Sequence, residues 1–418
     1  MLKSVSKKEI ILIVVAALGY FVDIYDLILF SIVRKKSLMG IGVSEEDCMV
    51  IGEQLISLQM LGMLVGGILW GVLGDKKGRL SVLFGSILMY SLANIANGFV
   101  ENVWSYGVWR VIAGIGLAGE LGAGITLVSE TMSKEMRGYG TMIVTTFGVL
   151  GGVVGGFIAE LFEWRTSYFV GGGMGLVLLA LRIGVFESGM YEKAKLSNVT
   201  RGSLKMILTN KGRFLKYIKC ILIGLPIWYF AGILITFSPE FSEALGISEV
   251  SAGTAVVLFY AGITLGDFSS GLISQLIKSR KKVVLVFLLL SVASMLLYLF
   301  SHNISKQLFY TYCFLTGFAS GYWAIFVTIA SEQFGTNLRS TVTTTTPNFV
   351  RGSLPLLIQG FNFFKYILPL LGLSFLKSSN EILIFSALMV GSITLIIALM
   401  SLRGLEETFG KDLNYLEE

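Results

Sequence analysis

LGMLVGGILWG at residues 61–71 returns as AGITLGDFSSG at residues 261–271. Gly62, Gly66 and Gly71 fall on Gly262, Gly266 and Gly271, each two hundred residues on. A second register runs later in each half. Glu130, Arg137 and Thr141 fall on Glu332, Arg339 and Thr343, each two hundred and two residues on. Matches in one order at nearly one offset indicate two parallel halves. The runs that carry them are apolar. Of the 418 residues 54% are hydrophobic and 14% charged, with mean hydropathy +0.77, whereas soluble domains carry about 25% charge.

A bilayer core about 30 Å thick needs roughly 20 apolar residues per crossing. Twelve stretches meet that need: 9–33, 50–73, 80–99, 104–127, 138–160, 166–186, 218–239, 252–276, 283–301, 306–330, 341–371 and 380–402. The first is too long for the apolar core of a signal peptide and lacks a small-residue cleavage site, so it reads as a retained helix. The polar segment 187–217 divides the chain into a bundle over 1–186, a linker, and a bundle over 218–418. The expected fold is therefore an all-α membrane protein of twelve transmembrane helices in two pseudo-symmetric six-helix bundles. With the N-terminus inside, the external segments hold only Arg34, Lys35, Lys36, Arg165, Lys306 and Lys377 of the 33 lysines and arginines. That bias predicts a multi-pass protein of the cell inner membrane with both termini in the cytoplasm. The net charge of +6 is thus a topology signal, and nucleic acid is not an expected partner.

Cys48, Cys220 and Cys313 have no paired spacing, and His302 is the single histidine. Neither a disulfide framework nor a metal site follows. There is no Ser/His/Asp set and no phosphate-binding glycine loop, so an enzyme is not expected, nor any cofactor. The expected partners are a small solute, protons and the lipid bilayer, with the chain acting as a monomer. Gly148, Gly151, Gly152, Gly155 and Gly156 in the fifth stretch, with the repeated glycines above, suit close helix packing. All five prolines, Pro226, Pro239, Pro347, Pro355 and Pro369, lie in the second half. They predict kinks in the seventh and eleventh stretches, and the eleventh has room for a re-entrant element.

The loop after the second stretch reads GVLGDKKGRL, residues 71–80. Gly71, Asp75, Lys76, Gly78 and Arg79 match Gly-x-x-x-Asp-(Arg/Lys)-x-Gly-Arg, which resembles the signature of the major facilitator superfamily at this loop. RVIAGIGLAGE (110–120) resembles its Arg-x-x-x-Gly-x-Gly pattern. Glu130, Arg137 and Gly138 look like its next cytoplasmic loop, with Glu332 and Arg339 as the second-half copies. The resemblance implies a cytoplasmic gate of these residues. In the second copy, GLISQLIKSRKK (271–282), Gln275 replaces the carboxylate, so the gate is expected to be asymmetric. LRIGVFESGMY (181–191) and EETFGKDL (406–413) are similar to loops of sugar porters and metabolite:proton symporters. YFVDIYDLILF (20–30) resembles the Asp-x-x-Asp helix of metabolite:proton and phosphate:proton symporters. Ala118-Gly119-Glu120-Leu121-Gly122 departs from the Gly-Gly-Asp-Tyr-Pro run of the phosphate carriers. GVLGGVVGG (148–156) has Val153 where the family's antiporters carry proline. The resemblance thus implies proton-coupled uptake of a small organic anion or zwitterion by alternating access. The alternatives are a proton-driven efflux antiporter or a sugar or phosphate transporter.

Charged groups in a bilayer are costly and are usually functional or paired. Asp23 and Asp26, three residues apart, share one helical face. Arg110 lies roughly 9 Å from the external end of its stretch, at a depth similar to the acids. A cation beside a carboxylate keeps it ionised, and moving the cation away lets the acid take a proton. Either this couples transport to protons, or the pair is a static link. Glu120, some 15 Å deeper than Arg110, is a second proton site or a substrate ligand. Asp267 and Arg351 are expected either to bind substrate or to form a structural pair, and Arg351 could grip a carboxylate bidentately. Tyr25, Trp228, Tyr229, Tyr322, Trp323, Asn348, Gln359 and Asn362 complete the candidate pocket.

Overall fold

The computed structural model describes residues 6–182, 189–196, 200–247, 250–371 and 378–417. Residues 183–188 of the LRIGVFESGMY motif lie outside them. The first helices are α1 Lys7–Gly40, α2 Cys48–Lys77, α3 Arg79–Asn97, α4 Val103–Leu117, α5 Glu120–Thr131, α6 Arg137–Leu161 and α7 Trp164–Leu181. Then come the short α8 Gly189–Leu196 and α9 Leu204–Thr209, followed by α10 Lys211–Leu222, α11 Leu225–Tyr229, a π-helical stretch Phe230–Ile235 and α12 Ser238–Ala244. The chain continues through α13 Ala252–Leu276, α14 Arg280–Leu299, α15 Lys306–Ser320, α16 Trp323–Glu332, α17 Thr336–Gly352, α18 Leu354–Leu370 and α19 Ser379–Arg403.

Local chemistry sets the ends. Ser6 and Glu9 form a reciprocal cap on α1, and Ser378 and Glu381 do the same on α19, each satisfying orphan amide groups. α1 runs on past the expected end at 33, through Arg34, Lys35 and Lys36 to Gly40. Lysine and arginine are good helix formers, so a polar boundary need not be a helix boundary. The fourth stretch breaks at Ala118–Gly119, and Glu120 opens the next helix. The tenth breaks before Trp323. The eleventh breaks at Ser353, where Pro355 sits in the first turn of α18. There its missing N–H costs nothing, because that donor has no helical partner. Pro347 lies inside α17 without breaking it.

Contacts gather the chain into two compact units. One holds residues 1–217, 327–352 and 408–418; the other holds 218–326 and 353–407. In the first, α1 packs on α6 through glycine. A Cβ at Gly148 would overlap Tyr20, and one at Gly151 would overlap the Phe21 carbonyl. Beside this contact Tyr25, Phe30, Tyr106, Trp164 and Tyr168 share one core cluster. The Tyr106 and Tyr168 hydroxyls are 2.7 Å apart. In the second unit α13 packs on α15 through Gly262, Gly266 and Gly317, with Gly321 just past the end of α15 against Gly266.

Candidate transport site

Within the first unit the interior of α1 carries its two acids on one face. Asp23 and Asp26 are both fully buried. Asp23 Oδ2 lies 3.7 Å from Arg351 Nη2, and the same nitrogen reaches the Tyr20 hydroxyl at 3.5 Å. Asp26 sits against Gly171 of α7. Neither of its oxygens accepts a hydrogen bond from the protein. Asp23 and Arg110 are its charged neighbours, and the Asn94 side chain faces it.

Arg110, expected to hold the acid pair, is oriented by other groups. Its Nη2 donates to Gln59 Oε1, and its guanidinium stacks 4.5 Å from the centre of the Phe30 ring. The ion pair from α1 runs to Arg351 instead. Helix periodicity had placed the acids on one face, but α17 supplies the nearer cation. The expected pairing of Asp267 with Arg351 is accordingly replaced. Asp267 Oδ1, in the second unit, accepts from the Ala324 amide at 3.1 Å and caps the start of α16. A carboxylate at a helix N-terminus satisfies an orphan donor and faces the positive end of the dipole.

Glu120 is 1% exposed and held by Arg182 through both nitrogens. Arg182 Nη1 reaches Glu120 Oε2 at 3.0 Å and the Leu83 carbonyl at 2.6 Å. Arg182 was missed as a candidate, although its place in an apolar stretch was the same signal that marked Glu120.

The aromatic and amide candidates divide. Tyr25, Tyr229 and Tyr322 donate their hydroxyls to the carbonyls of Ser167, Ala387 and Ile223. Trp323 packs 5.1 Å from Phe326, and Trp228 is buried. Asn348 donates to the carbonyls of Ala118 and Thr344 at 2.8 and 2.7 Å. Gln359 and Asn362 on α18 are exposed.

The signature loop builds a second cluster in the same unit. Gly78 has φ +100°, a left-handed turn that favours glycine, and a Cβ at Gly71 would press on Thr341. Asp75 accepts from the amides of Ser340 and Thr341 at 3.1 and 2.8 Å and from the Thr341 hydroxyl at 2.7 Å. Arg79 lies 3.3 Å from Asp75 and 2.8 Å from Glu130. Glu130 also binds Arg339 at 2.9 Å, and Arg137 binds Glu332 at 2.8 Å. The segment 408–418 adds carbonyls: Lys411 accepts from Arg137 at 2.7 Å and Leu413 from Arg339 at 2.6 Å. Lys76 alone of this set turns outward.

Ten helices among the described residues are long and apolar enough to cross a membrane. The chain resembles a protein of Bacillus subtilis (strain 168) named for niacin/nicotinamide transport, with 26% identity over 81% of this chain and 84% of that one. It also resembles a protein of Cupriavidus pinatubonensis named for 4-methylmuconolactone transport, with 26% identity over 77% and 76%. Among solved structures, the proton:xylose symporter XylE has a similar fold, with TM-score 0.77 at 16% identity over 97% of this chain and 98% of that one. The model of the Major Facilitator Superfamily matches residues 11–353. Ten apolar helices long enough to cross a membrane, two repeated halves, the signature loop and this match give one conclusion: the chain is a transporter, not an enzyme, and belongs to the Major Facilitator Superfamily, whose fold has twelve transmembrane helices.

Proposed function

We propose that this transporter takes up a small ring-bearing carboxylate together with a proton. The observation that carries the reading is the acid pair of α1, buried beside two arginines and divided between them. Asp23 has Arg351 as its ion partner, whereas Asp26 has no protein donor although Arg110 is its neighbour. A buried acid without a donor favours its protonated form, and a buried carboxylate favours a cation. The face of α1 thus carries an acid suited to load and release a proton, and α17 brings beside it an arginine suited to grip an anion. Names of relatives support the substrate class. They include niacin, 4-methylmuconolactone and gentisate transporters, and niacin and gentisate are carboxylates on a ring.

In this scheme Asp26 loads a proton from the outer side, the carboxylate enters beside Arg351 or Arg110, and alternating access carries both inward. Loss of the proton on the cytoplasmic side resets the carrier. The cluster of Asp75, Arg79, Glu130, Arg137, Glu332 and Arg339 serves as the cytoplasmic gate, its buried ion pairs closed in this arrangement and parted when access alternates. The test is uptake of radiolabelled nicotinate, benzoate and gentisate into proteoliposomes under an imposed pH gradient, acid outside. Uptake driven by the gradient is expected, lost in D26N with counterflow exchange retained. Uptake indifferent to the gradient removes the proton, and gradient-driven export in its place makes the protein an antiporter.

A further inference from the structure

Three helix faces of the first unit enclose a polar seam. α1 contributes Asp26, Asp23 and Gly19, at helical steps of three and four. On α7, Gly171 and Gly175 lie one turn apart on a face that ends near Arg182. A Cβ at Gly171 would overlap Asp26 Oδ1. One at Gly175 would overlap Ser91 Oγ and press on the Tyr90 ring at 3.2 Å. One at Gly19 would overlap both the Glu120 carboxylate and the Arg182 guanidinium. The order along the seam is therefore Asp26, then Tyr90 and Ser91, then Glu120 with Arg182. From Gly171 to Arg182 the helical rise is roughly 16 Å.

α3 is the third wall. Ser86, Tyr90, Asn94 and Asn97 recur at steps of four, four and three, with Ser91 beside them, and all are fully buried. Their side-chain atoms are unusual. The hydroxyls of Ser86, Tyr90 and Ser91 and both ends of the Asn94 and Asn97 amides have no hydrogen-bond partner in the protein. Buried polar groups are nearly always satisfied, so a row of them on one face calls for a partner of another kind. Tyr90 lies within electrostatic reach of Glu120, Arg182, Asp26 and Asp23. Asn94 neighbours Asp26.

We propose that this seam holds a file of water, and that Tyr90 is the relay in it that passes a proton between Asp26 and the Glu120–Arg182 pair. The inference rests on the proton-coupled reading. Buried water typically makes about three hydrogen bonds, and the seam supplies hydroxyls, amides and carboxylates at each step. The transfer balances in protons and charge. Asp26 releases its proton to water and becomes a carboxylate facing Arg110. The Tyr90 hydroxyl accepts a proton from water on one side and gives up its own on the other. Glu120 receives a proton and becomes neutral, which loosens its hold on Arg182, while Arg182 keeps the Leu83 carbonyl. The charged groups facing the seam are Asp23 and Asp26 from α1, Arg110 from α4, Glu120 from α5, Arg182 after α7 and Arg351 from α17. α2 adds the Gln59 amide. Tyr90 is a positioning residue for the proton and touches no group assigned to substrate.

Two measurements on the full-length carrier test this. The first is radiolytic hydroxyl labelling, which marks side chains beside bound water. Tyr90 is expected to be labelled, while Tyr229, equally buried but bonded to the Ala387 carbonyl, stays unlabelled. Equal protection of both removes the water file. The second compares the wild type with Y90F for pH-driven uptake of radiolabelled nicotinate and for nicotinate counterflow at equal pH. Driven uptake is expected to fall at least about ten-fold, as loss of a positioned proton donor does, with counterflow retained and thermal stability undiminished. Stability should hold because the hydroxyl removed has no protein partner. A wild type indifferent to the gradient defeats the proton-coupled reading and leaves labelling to decide the water. A gradient-driven wild type matched by Y90F defeats the relay alone.

Discussion

α2 with α4 and α13 with α15 are one helix pair built twice, and they diverge about two and a half turns beyond the contact. A Cβ at Gly62 or Gly66 would overlap the carbonyls of Val111 and Ile115, and one at Gly262 or Gly266 those of Phe314 and Phe318. The partner helices reciprocate, Gly114 against the Gln59 carbonyl and Gly317 against that of Phe259. Beyond the contact the first copy places Asp75 and Arg79 in a buried network with Glu130 and Arg339. The second has Gln275, and its Arg280 turns to Ser274 at 2.9 Å. Its helix start is capped by Glu407, which accepts from the Arg280 amide at 2.9 Å and the Lys281 amide at 3.2 Å. Backbone contact tolerates only glycine, so both copies keep it. Charge placement depends on what a third segment offers, and here the copies were free to differ.

The largest expected effect contrasts the buried acids of the two units. D26N should lower pH-driven uptake at least about ten-fold, because Asp23, the other acid on that face, is held in an ion pair with Arg351. D267N keeps an oxygen for the Ala324 amide and should retain most uptake. Equal losses in the two variants would break the contrast. Next comes E130Q, which leaves Arg79 and Arg339 buried without their shared carboxylate. Removing one partner of a buried pair costs about 3–5 kcal/mol, to be read as a lowered melting temperature in detergent.

Smaller effects sharpen the likeness. G62A and G262A should each cost about 1–3 kcal/mol, the range for overpacking, and by similar amounts. A change at one site without the other would show that the repeat shares sequence but not packing strain. The smallest is E407Q in the second copy, expected to cost about 1 kcal/mol as a lost helix cap. A loss as large as that of E130Q would overturn the asymmetry between the two loops.

Much of this was legible beforehand. The repeat located the paired glycines, and the signature loop with its downstream copies named all six charged residues of the Asp75–Glu130 cluster. The steps of three and four in α1 put Asp23 and Asp26 on one face. Less was legible about partners. Arg351, one expected partner of Asp267, lies instead beside Asp23, and Arg110, expected beside the acids, is a charged neighbour of Asp26 but donates its hydrogen bond to Gln59. Arg182 went unused, although it holds Glu120. Periodicity says which side of a helix a residue occupies and is silent about which neighbour arrives there. The helix breaks at Ala118–Gly119 and before Trp323 were equally hidden, since apolar composition runs across them unchanged.

Taken alone, the sequence determined that the chain crosses a membrane many times, in two related halves with few buried charges. Those features follow from transfer free energies and local periodicity, which each residue carries with it. The tertiary structure decided how those charges pair and which remain without a protein donor. Burial makes an ionic partner decisive, and the partner comes from segments hundreds of residues away whose approach no local pattern records.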